Sequence, residues 1–219
     1  LVTLLGPGGV GKTRLAQEVG VAISADAPDG VWWVDAIATR TGNDLVAAVQ
    51  RALGIECGPV TDVAAGLAAI ATVLAERRAM LLIDNCEHVI DAARDAVGEL
   101  LGRCPALRVV ATSRERLDVP SERTVDVRPL SSDDAVALFH ARMALDPTDG
   151  DGAAEALVRD ICERLDRLPL AVELAAARTR YATLDELAQR LADRFGALPA
   201  SGRSADGRHR DLRAVAAWS

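Results

Sequence analysis

Gly6-Pro7-Gly8-Gly9-Val10-Gly11-Lys12-Thr13 fits the pattern G-x-x-x-x-G-K-[ST] and follows the apolar run Leu1 to Leu5. Four glycines within six positions allow φ values that other residues resist, so successive backbone N–H groups can turn inward around a phosphate. At this spacing Lys12 reaches the β- and γ-phosphates, and the Thr13 hydroxyl is placed to bind Mg²⁺. About 70 residues later the run Ala79-Met80-Leu81-Leu82-Ile83 ends in Asp84. A hydrophobic strand closing on an aspartate has the form of a Walker B strand, whose carboxylate holds Mg²⁺ directly or through water. A further apolar run, Leu107 to Thr112, leads into Ser113 and Arg114. From that position Arg114 either reaches a γ-phosphate from the side opposite Lys12 or forms a surface salt bridge.

These groups need particular elements to hold them. The loop requires a strand before it and a helix after it, because the helix N-terminus supplies further N–H donors and a favourable dipole. Leu1 to Leu5 predicts the strand, and Thr13 to Ser24 predicts the helix, with Leu15, Val19 and Ala22 as its apolar face. Ala79 to Asp84 is apolar without alternation, which suits a parallel strand covered by helices on both faces. In such sheets ligands bind at the carboxyl ends of the strands, so Asp84 and Arg114 are expected on the same edge as the loop.

Between these motifs the chain alternates. Ala27-Pro28-Asp29-Gly30 is a turn, and Val31-Trp32-Trp33-Val34-Asp35 is a strand whose two tryptophans face opposite sides. Asn43 is a candidate cap for a helix carrying Leu45, Val46, Val49 and Leu53 and ending at Gly54; Thr61 or Asp62 caps the next. A helix is predicted from about Glu87 to Gly102, and Thr124 to Val127 predicts a fifth short strand. Beyond Pro129-Leu130 only helical periodicity remains: Asp133 to Leu145 after a Ser131 or Ser132 cap, then Ala153 to Leu165, Leu170 to Arg178 and Leu184 to Phe195. Asp146 to Gly152 is a loop, and Pro169 sits where its fixed φ suits a first helical position.

The 219 residues are half apolar with a net charge of −7, which argues against a general nucleic-acid-binding surface. No apolar stretch approaches a membrane span, and no leader opens the chain. A cytoplasmic location is expected, and the opening inside a strand suggests a piece of a longer polypeptide. Cys57, Cys86, Cys104 and Cys162 show no metal-ligand spacing and are expected as buried thiols in a reducing cytosol. His88, His140 and His209 suggest neither a metal site nor a triad. The arginine-rich stretch Ser201 to Arg213 is either a solvated linker or a phosphate or DNA contact.

Four blocks stand in fixed order: residues 6–13, Leu81-Leu82-Ile83-Asp84-Asn85-Cys86-Glu87-His88, residues 109–117, and residues 167–178, which open Arg167-Leu168-Pro169-Leu170. With the ending at 208–219, they resemble the NB-ARC type of STAND-class signal-transduction ATPase, as found in large actinobacterial transcriptional regulators of the AfsR and LuxR-associated kind. The resemblance implies an α/β P-loop NTPase with a five-stranded parallel sheet flanked by helices (1–129), an all-helical module (130–198), and a linker with the start of a winged-helix domain (199–219). It implies an ATP/ADP switch with Mg²⁺, resting with ADP and active with ATP. Partners would be sensor and effector domains of the same longer chain and a nucleotide-dependent homo-oligomer, with no direct DNA binding by this stretch and no membrane. Nucleotide contacts carry over to Gly6, Gly8, Gly9, Val10, Gly11, Lys12, Thr13, Arg14, Arg114 and Pro169, and metal contacts to Thr13 and Asp84. The catalytic set is Lys12, Asp84, Glu87 and Arg114, with Arg114 as γ-phosphate sensor.

Two departures stand out. The glycine of the family's Gly-Leu-Pro-Leu motif is Arg167 here, and the second acid that many relatives carry after the Walker B aspartate is Asn85. An amide cannot take a proton, so hydrolysis is expected to be slow unless Glu87 substitutes. Besides the switch, a turnover enzyme (motor ATPase or kinase) and a degenerate scaffold remain open; intact Lys12, Thr13 and Asp84 speak against the scaffold.

Overall fold

The computed structural model describes residues 1–55, 58–143 and 152–196. Cys57, the loop beginning at Asp146 and the predicted linker and winged-helix start at 199–219 lie outside the described residues. The elements are β1 (Val2–Leu5), α1 (Lys12–Ala22), β2 (Val31–Asp35), α2 (Gly42–Ala52), α3 (Val63–Leu74), β3 (Met80–Asp84), α4 (Ile90–Arg103), β4 (Arg108–Ser113) and β5 (Arg123–Asp126). Then come α5 (Ser132–Arg142), α6 (Gly152–Arg164), α7 (Pro169–Arg178) and α8 (Leu184–Gly196). They fall into two compact units, Leu1–Gly6 with Lys12–Val127, and Pro7–Gly11 with Arg128–Ser219.

In the first unit, β2-β3-β4-β1-β5 form one sheet in that order with every pairing parallel, as expected of this α/β class. Alternation along each strand decides what each face carries. Leu81, Ile83, Val109 and Ala111 face the core built with Leu45 and Val49 of α2, Ile70 and Leu74 of α3, and Val97 and Leu100 of α4. Met80, Leu82, Val110 and Leu4 face the opposite way, onto Ala16 of α1. Trp32 packs on the first side and Trp33 on the second, as their adjacency predicts.

The buried face of α1 differs from the expected Leu15, Val19 and Ala22, of which Val19 alone packs against the core, partly buried. It is Lys12, Ala16 and Gly20, while Leu15 and Ala22 are exposed. Small residues win because the helix lies almost on the sheet: a Cβ on Gly20 would come within 2.6 Å of Leu82 Cδ1. Two more local expectations are corrected. The cap of α2 is Thr41, whose hydroxyl accepts from the Asp44 amide at 3.2 Å while Asp44 accepts from the Thr41 amide at 2.9 Å. That capping box satisfies two helix-end donors where Asn43 could satisfy one. The helix predicted from Glu87 begins instead at Ile90, after a separate 3₁₀ turn at Cys86–His88, because Val89 leaves the helical region at φ −142° and ψ 43°.

In the second unit α5 packs on α6 and α7, and α6 on α8. Phe139, Ile161, Cys162, Val172, Ala176, Leu187 and Leu191 are buried there. Asp62 caps α3 and Ser131 caps α5, each one of two alternatives offered by the sequence. Between α6 and α7, Asp166 and Arg167 are both left-handed, at φ 52° and 54°. The Arg167 amide donates to the Cys162 carbonyl at 3.0 Å, closing the end of α6, and the Arg167 carbonyl accepts from Leu130 at 3.2 Å. A side chain in this conformation costs roughly 1–2 kcal/mol, which explains why the corresponding motif carries glycine.

Arg167→Gly should therefore stabilise the helical unit by about 0.5–1 kcal/mol after the greater unfolded-state entropy of glycine is subtracted. Its ion pair with Glu163 is partly exposed and 3.7 Å long, so little is lost with it. A rise in melting temperature, followed by circular dichroism, is the expected result; a fall would mean the arginine side chain contributes more than the strain costs.

Candidate functional site

The strand parity that sends Leu82 toward α1 sends Asp84, two residues on, to the same face at the carboxyl end of β3. There it meets the first turn of α1. The Thr13 hydroxyl lies 3.0 Å from both Asp84 oxygens. Thr112, near the end of β4, also donates its hydroxyl to Asp84 Oδ1, and accepts from the Asn85 amide at 3.0 Å. The Asn85 side-chain amide donates to Asp84 Oδ2 at 3.1 Å and to Asp35 Oδ1, at the end of β2, at 3.2 Å. Asp35 and Asp84 are register partners across β2 and β3, so without that bridging NH₂ two carboxylates would face each other.

Lys12 is buried beside this group, with Nζ donating to the Gly6 carbonyl at 2.9 Å. Burial lowers its pKa; Glu87 opposes the shift, Arg114 reinforces it and Asp84 opposes it. Those three charges therefore lie within electrostatic reach of the amine. Arg114 follows the last residue of β4, and its Nε donates to Glu87 Oε1 at 3.1 Å. The Glu87 side chain is only 10% exposed, and its Oε2 is buried without a hydrogen-bond partner.

The segment after Arg114 is tied down from two sides. Glu122, 2% exposed at its side chain, accepts from the Leu117 and Asp118 amides at 3.0 Å each. Arg94 of α4 donates to the Leu117 carbonyl at 2.6 Å. Burial alone would raise the Glu122 carboxyl, but the neighbouring Thr3 hydroxyl, the two amides and Arg116 outweigh it and hold the group below the usual glutamate range.

Of the residues singled out in the sequence, Lys12, Thr13, Asp84, Glu87 and Arg114 come together in the first unit. Arg14 does not join them; its side chain extends into solvent and pairs with Glu18 at 2.9 Å. In the second unit the loop Pro7–Gly11 meets the start of α7: the Leu170 amide donates to the Gly9 carbonyl at 3.2 Å, and a Cβ on Gly11 would lie 3.9 Å from Pro169 Cγ. Gly9 and Gly11 have φ of 75° and 100°, while Gly6 and Gly8 are partly exposed and Val10 is buried. Sequence reasoning gave no role to Thr112, Asp35 or Glu122. Two polar residues ending an otherwise apolar strand, Thr112 and Ser113, were the available signal for the first.

The residues fit a magnesium ion and a polyphosphate. Mg²⁺ binds oxygens at about 2.0–2.1 Å in an octahedron, which puts adjacent ligand oxygens about 2.9 Å apart. The Thr13 and Asp84 oxygens have nearly that separation at 3.0 Å. A buried ammonium and a half-exposed guanidinium beside them supply positive charge where phosphate oxygens need it.

The AAA domain family matches residues 1–119, the stretch that carries every one of these side chains up to Arg114. The chain belongs to that family. The whole chain is 42% identical to a putative HTH-type transcriptional regulator of Mycobacterium bovis, of which it spans 25%. It is 32% identical to the regulatory protein AfsR of Streptomyces griseus, over 86% of this chain and 19% of AfsR. Among solved structures, a STAND protein with a tetratricopeptide repeat sensor from Pyrococcus horikoshii matches 88% of the chain and 30% of its own, with TM-score 0.54 at 16% identity. The ORC1 protein of Aeropyrum pernix, solved with DNA, matches 97% and 70% with TM-score 0.63 at 15% identity. These structural likenesses establish the P-loop fold.

Two outcomes follow for the AAA domain. Asn85→Asp removes the bridging donor and sets three carboxylates together, so denaturant unfolding should show a loss of about 1–3 kcal/mol at neutral pH. Glu122→Gln should weaken the fold by a similar 1–3 kcal/mol or so at neutral pH. Because the folded-state carboxyl is held below its unfolded value, its contribution is present above the ordinary glutamate range and lost as pH falls through the lowered value. Stability curves of wild type and Glu122→Gln should therefore converge in acid, and parallel curves would show that the carboxylate charge is not what matters.

Proposed function

We propose that this AAA domain is the nucleotide-gated switch of a longer bacterial transcriptional regulator, resting with ADP, active with ATP and slow to hydrolyse. One observation carries the reading: the Thr13 hydroxyl and Asp84 carboxylate are in contact beside buried Lys12. The HTH-type and AfsR relatives support a regulatory setting rather than a metabolic one.

In this reading Lys12 and the inward N–H groups of residues 6–13 bind the phosphates, and Thr13 and Asp84 hold Mg²⁺. The ion would neutralise β- and γ-phosphate oxygens and fix their orientation. Thr112 and Asn85 hold the Asp84 carboxylate in place. Arg114 reads the γ-phosphate, which supplies the difference in contacts between ATP and ADP that any switch requires. Pro169 belongs to the proposal as the residue that couples the helical module to nucleotide state; the Leu170 to Gly9 hydrogen bond supports it. Sensor and effector domains of the same chain, a nucleotide-dependent homo-oligomer, a cytoplasmic setting and no direct DNA contact by this stretch complete it. Among the described residues no helix is long and apolar enough to cross a membrane.

The turnover-enzyme alternative is weaker because Asn85, an amide, occupies the place from which an acid would orient water. Glu87 is the remaining carboxylate for that role, and its Oε1 is engaged by Arg114. Binding of fluorescent ADP and a non-hydrolysable ATP analogue tests the reading. Lys12→Ala should lose both ligands, and Arg114→Ala should keep ADP while losing its preference for the triphosphate. Equal loss of both in Arg114→Ala would sink the sensor assignment.

A further inference from the structure

Glu87 presents a problem that the switch reading leaves unsolved. Its side chain is nine-tenths buried, one oxygen is bonded to Arg114 and the other, Oε2, is buried without a hydrogen-bond partner. A buried carboxylate oxygen left unpaired costs on the order of 1–3 kcal/mol or more, so something about its position must offset that. What lies around it is positive. Arg114 is in contact, and Lys12 feels Glu87 more strongly than it feels Asp84. Lys12 and Arg114 also act on each other as like charges. Two cations crowded around a phosphate pocket repel unless an anion sits among them.

The backbone delivers that anion deliberately. Asn85 is left-handed at φ 62° and ψ 40°, which interrupts the chain after β3 and starts the short turn Cys86–His88 that carries Glu87. The conformation is held by the Asn85 amide donating to Thr112 and by its side chain spanning Asp84 and Asp35. The same residue that replaces the second acid therefore also directs the chain that brings Glu87 toward Arg114.

We propose that Glu87 is a resident counter-anion that occupies Arg114 until a γ-phosphate displaces it, and that it thereby sets the preference of the site between ATP and ADP. The inference rests on the reading of this site as a nucleotide switch. A triphosphate brings negative charge to the guanidinium that Glu87 already neutralises, so the carboxylate and the γ-phosphate compete for one cation. A diphosphate ends short of Arg114 and meets the competitor less directly. Glu87 thus weakens ATP more than ADP, and holds Arg114 in one place when no γ-phosphate is present. Glu87 becomes available to orient water only after Arg114 has been taken from it, which couples triphosphate recognition to hydrolysis.

The test is a titration of the protein with Mg²⁺ and either fluorescent ADP or a fluorescent non-hydrolysable ATP analogue, for wild type, Glu87→Gln, Glu87→Asp, Arg114→Ala and the Arg114→Ala/Glu87→Gln double variant. Glu87→Gln keeps the shape and removes the charge, and should tighten the ATP analogue about tenfold while changing ADP less than about threefold, within the usual range of coupling between sites. Glu87→Asp keeps the charge but shortens the reach to Arg114, and should tighten the analogue by a smaller factor. In the Arg114→Ala background the Glu87→Gln change should no longer alter the preference, because the cation under competition is gone. Unchanged or weaker analogue binding in both Glu87 variants overturns the inference while leaving the switch intact. Absence of nucleotide binding in wild type overturns the switch reading and this inference together, so the two failures are told apart.

Discussion

The Asp84 carboxylate is the interaction on which the rest of the first unit depends. It accepts from Thr13, Thr112 and Asn85, three residues from α1, β4 and the turn after β3. Each of those contacts needs a separate feature of the fold to be in place. Asp84 must end its strand on the face toward α1, which fixes the parity of Met80 and Leu82. The helix α1 must lie close enough for Thr13 to arrive, which requires Ala16 and Gly20 where larger residues would stand it off. The β4 strand must be adjacent to β3 in parallel register, which brings Thr112 alongside. A one-residue slip anywhere in this set would turn a polar group to the wrong face of the sheet.

Charge at the same edge is balanced locally. Lys12 and Arg114 are the cations, Asp84, Glu87 and Asp35 the carboxylates, and Asn85 stands between two of the latter as a neutral donor. Buried charges are tolerated when each finds a partner, and costly when one is removed. Such an arrangement is responsive: any anion or cation that enters must break an existing pairing, and the segment holding the broken partner is free to move. Here the segment after Arg114 is tied by Glu122 and Arg94, so it is a fixed loop rather than a slack one.

Much of this was legible in the sequence because the signals were periodic or strongly constrained. The phosphate-loop glycines, the apolar run ending in Asp84 and the run ending before Arg114 gave the strands and their common edge. The β3 burial is complete along its length, as an unalternating run requires. The misreadings have physical causes. Helical spacing pointed to Val19, which does pack on the core, and to Leu15 and Ala22, which do not; close approach to Leu82 selects small residues, and periodicity counts hydrophobicity rather than size. The helical pattern from Glu87 includes a 3₁₀ turn that is separate from α4, because Val89 takes φ −142° and ψ 43°, a break that sequence periodicity cannot register. Arg167 was legible as a departure from glycine, but not the reason for the glycine, since only the backbone reveals that the position is left-handed. The roles of Thr112 and Asp35 come from strand order, which puts Asp35 beside Asp84 across 48 intervening positions of sequence.

The presence of Asn85 is best understood through Asp35 rather than through hydrolysis alone. An acid at 85 would orient water well, yet it would stand between two carboxylates that the strand register already holds close. The amide resolves that conflict by donating one hydrogen to each side, and the left-handed backbone it tolerates better than most residues sends the chain toward Glu87. In the proposed switch, slow turnover would follow from how this edge is kept electrostatically stable. A long-lived nucleotide state, in turn, is what a switch needs, because the output conformation lasts only as long as the γ-phosphate does. The sheet edge and the missing acid are thus one constraint: a neutral bridge at 85 holds Asp84 in place and joins it to Asp35, where a third carboxylate would repel both.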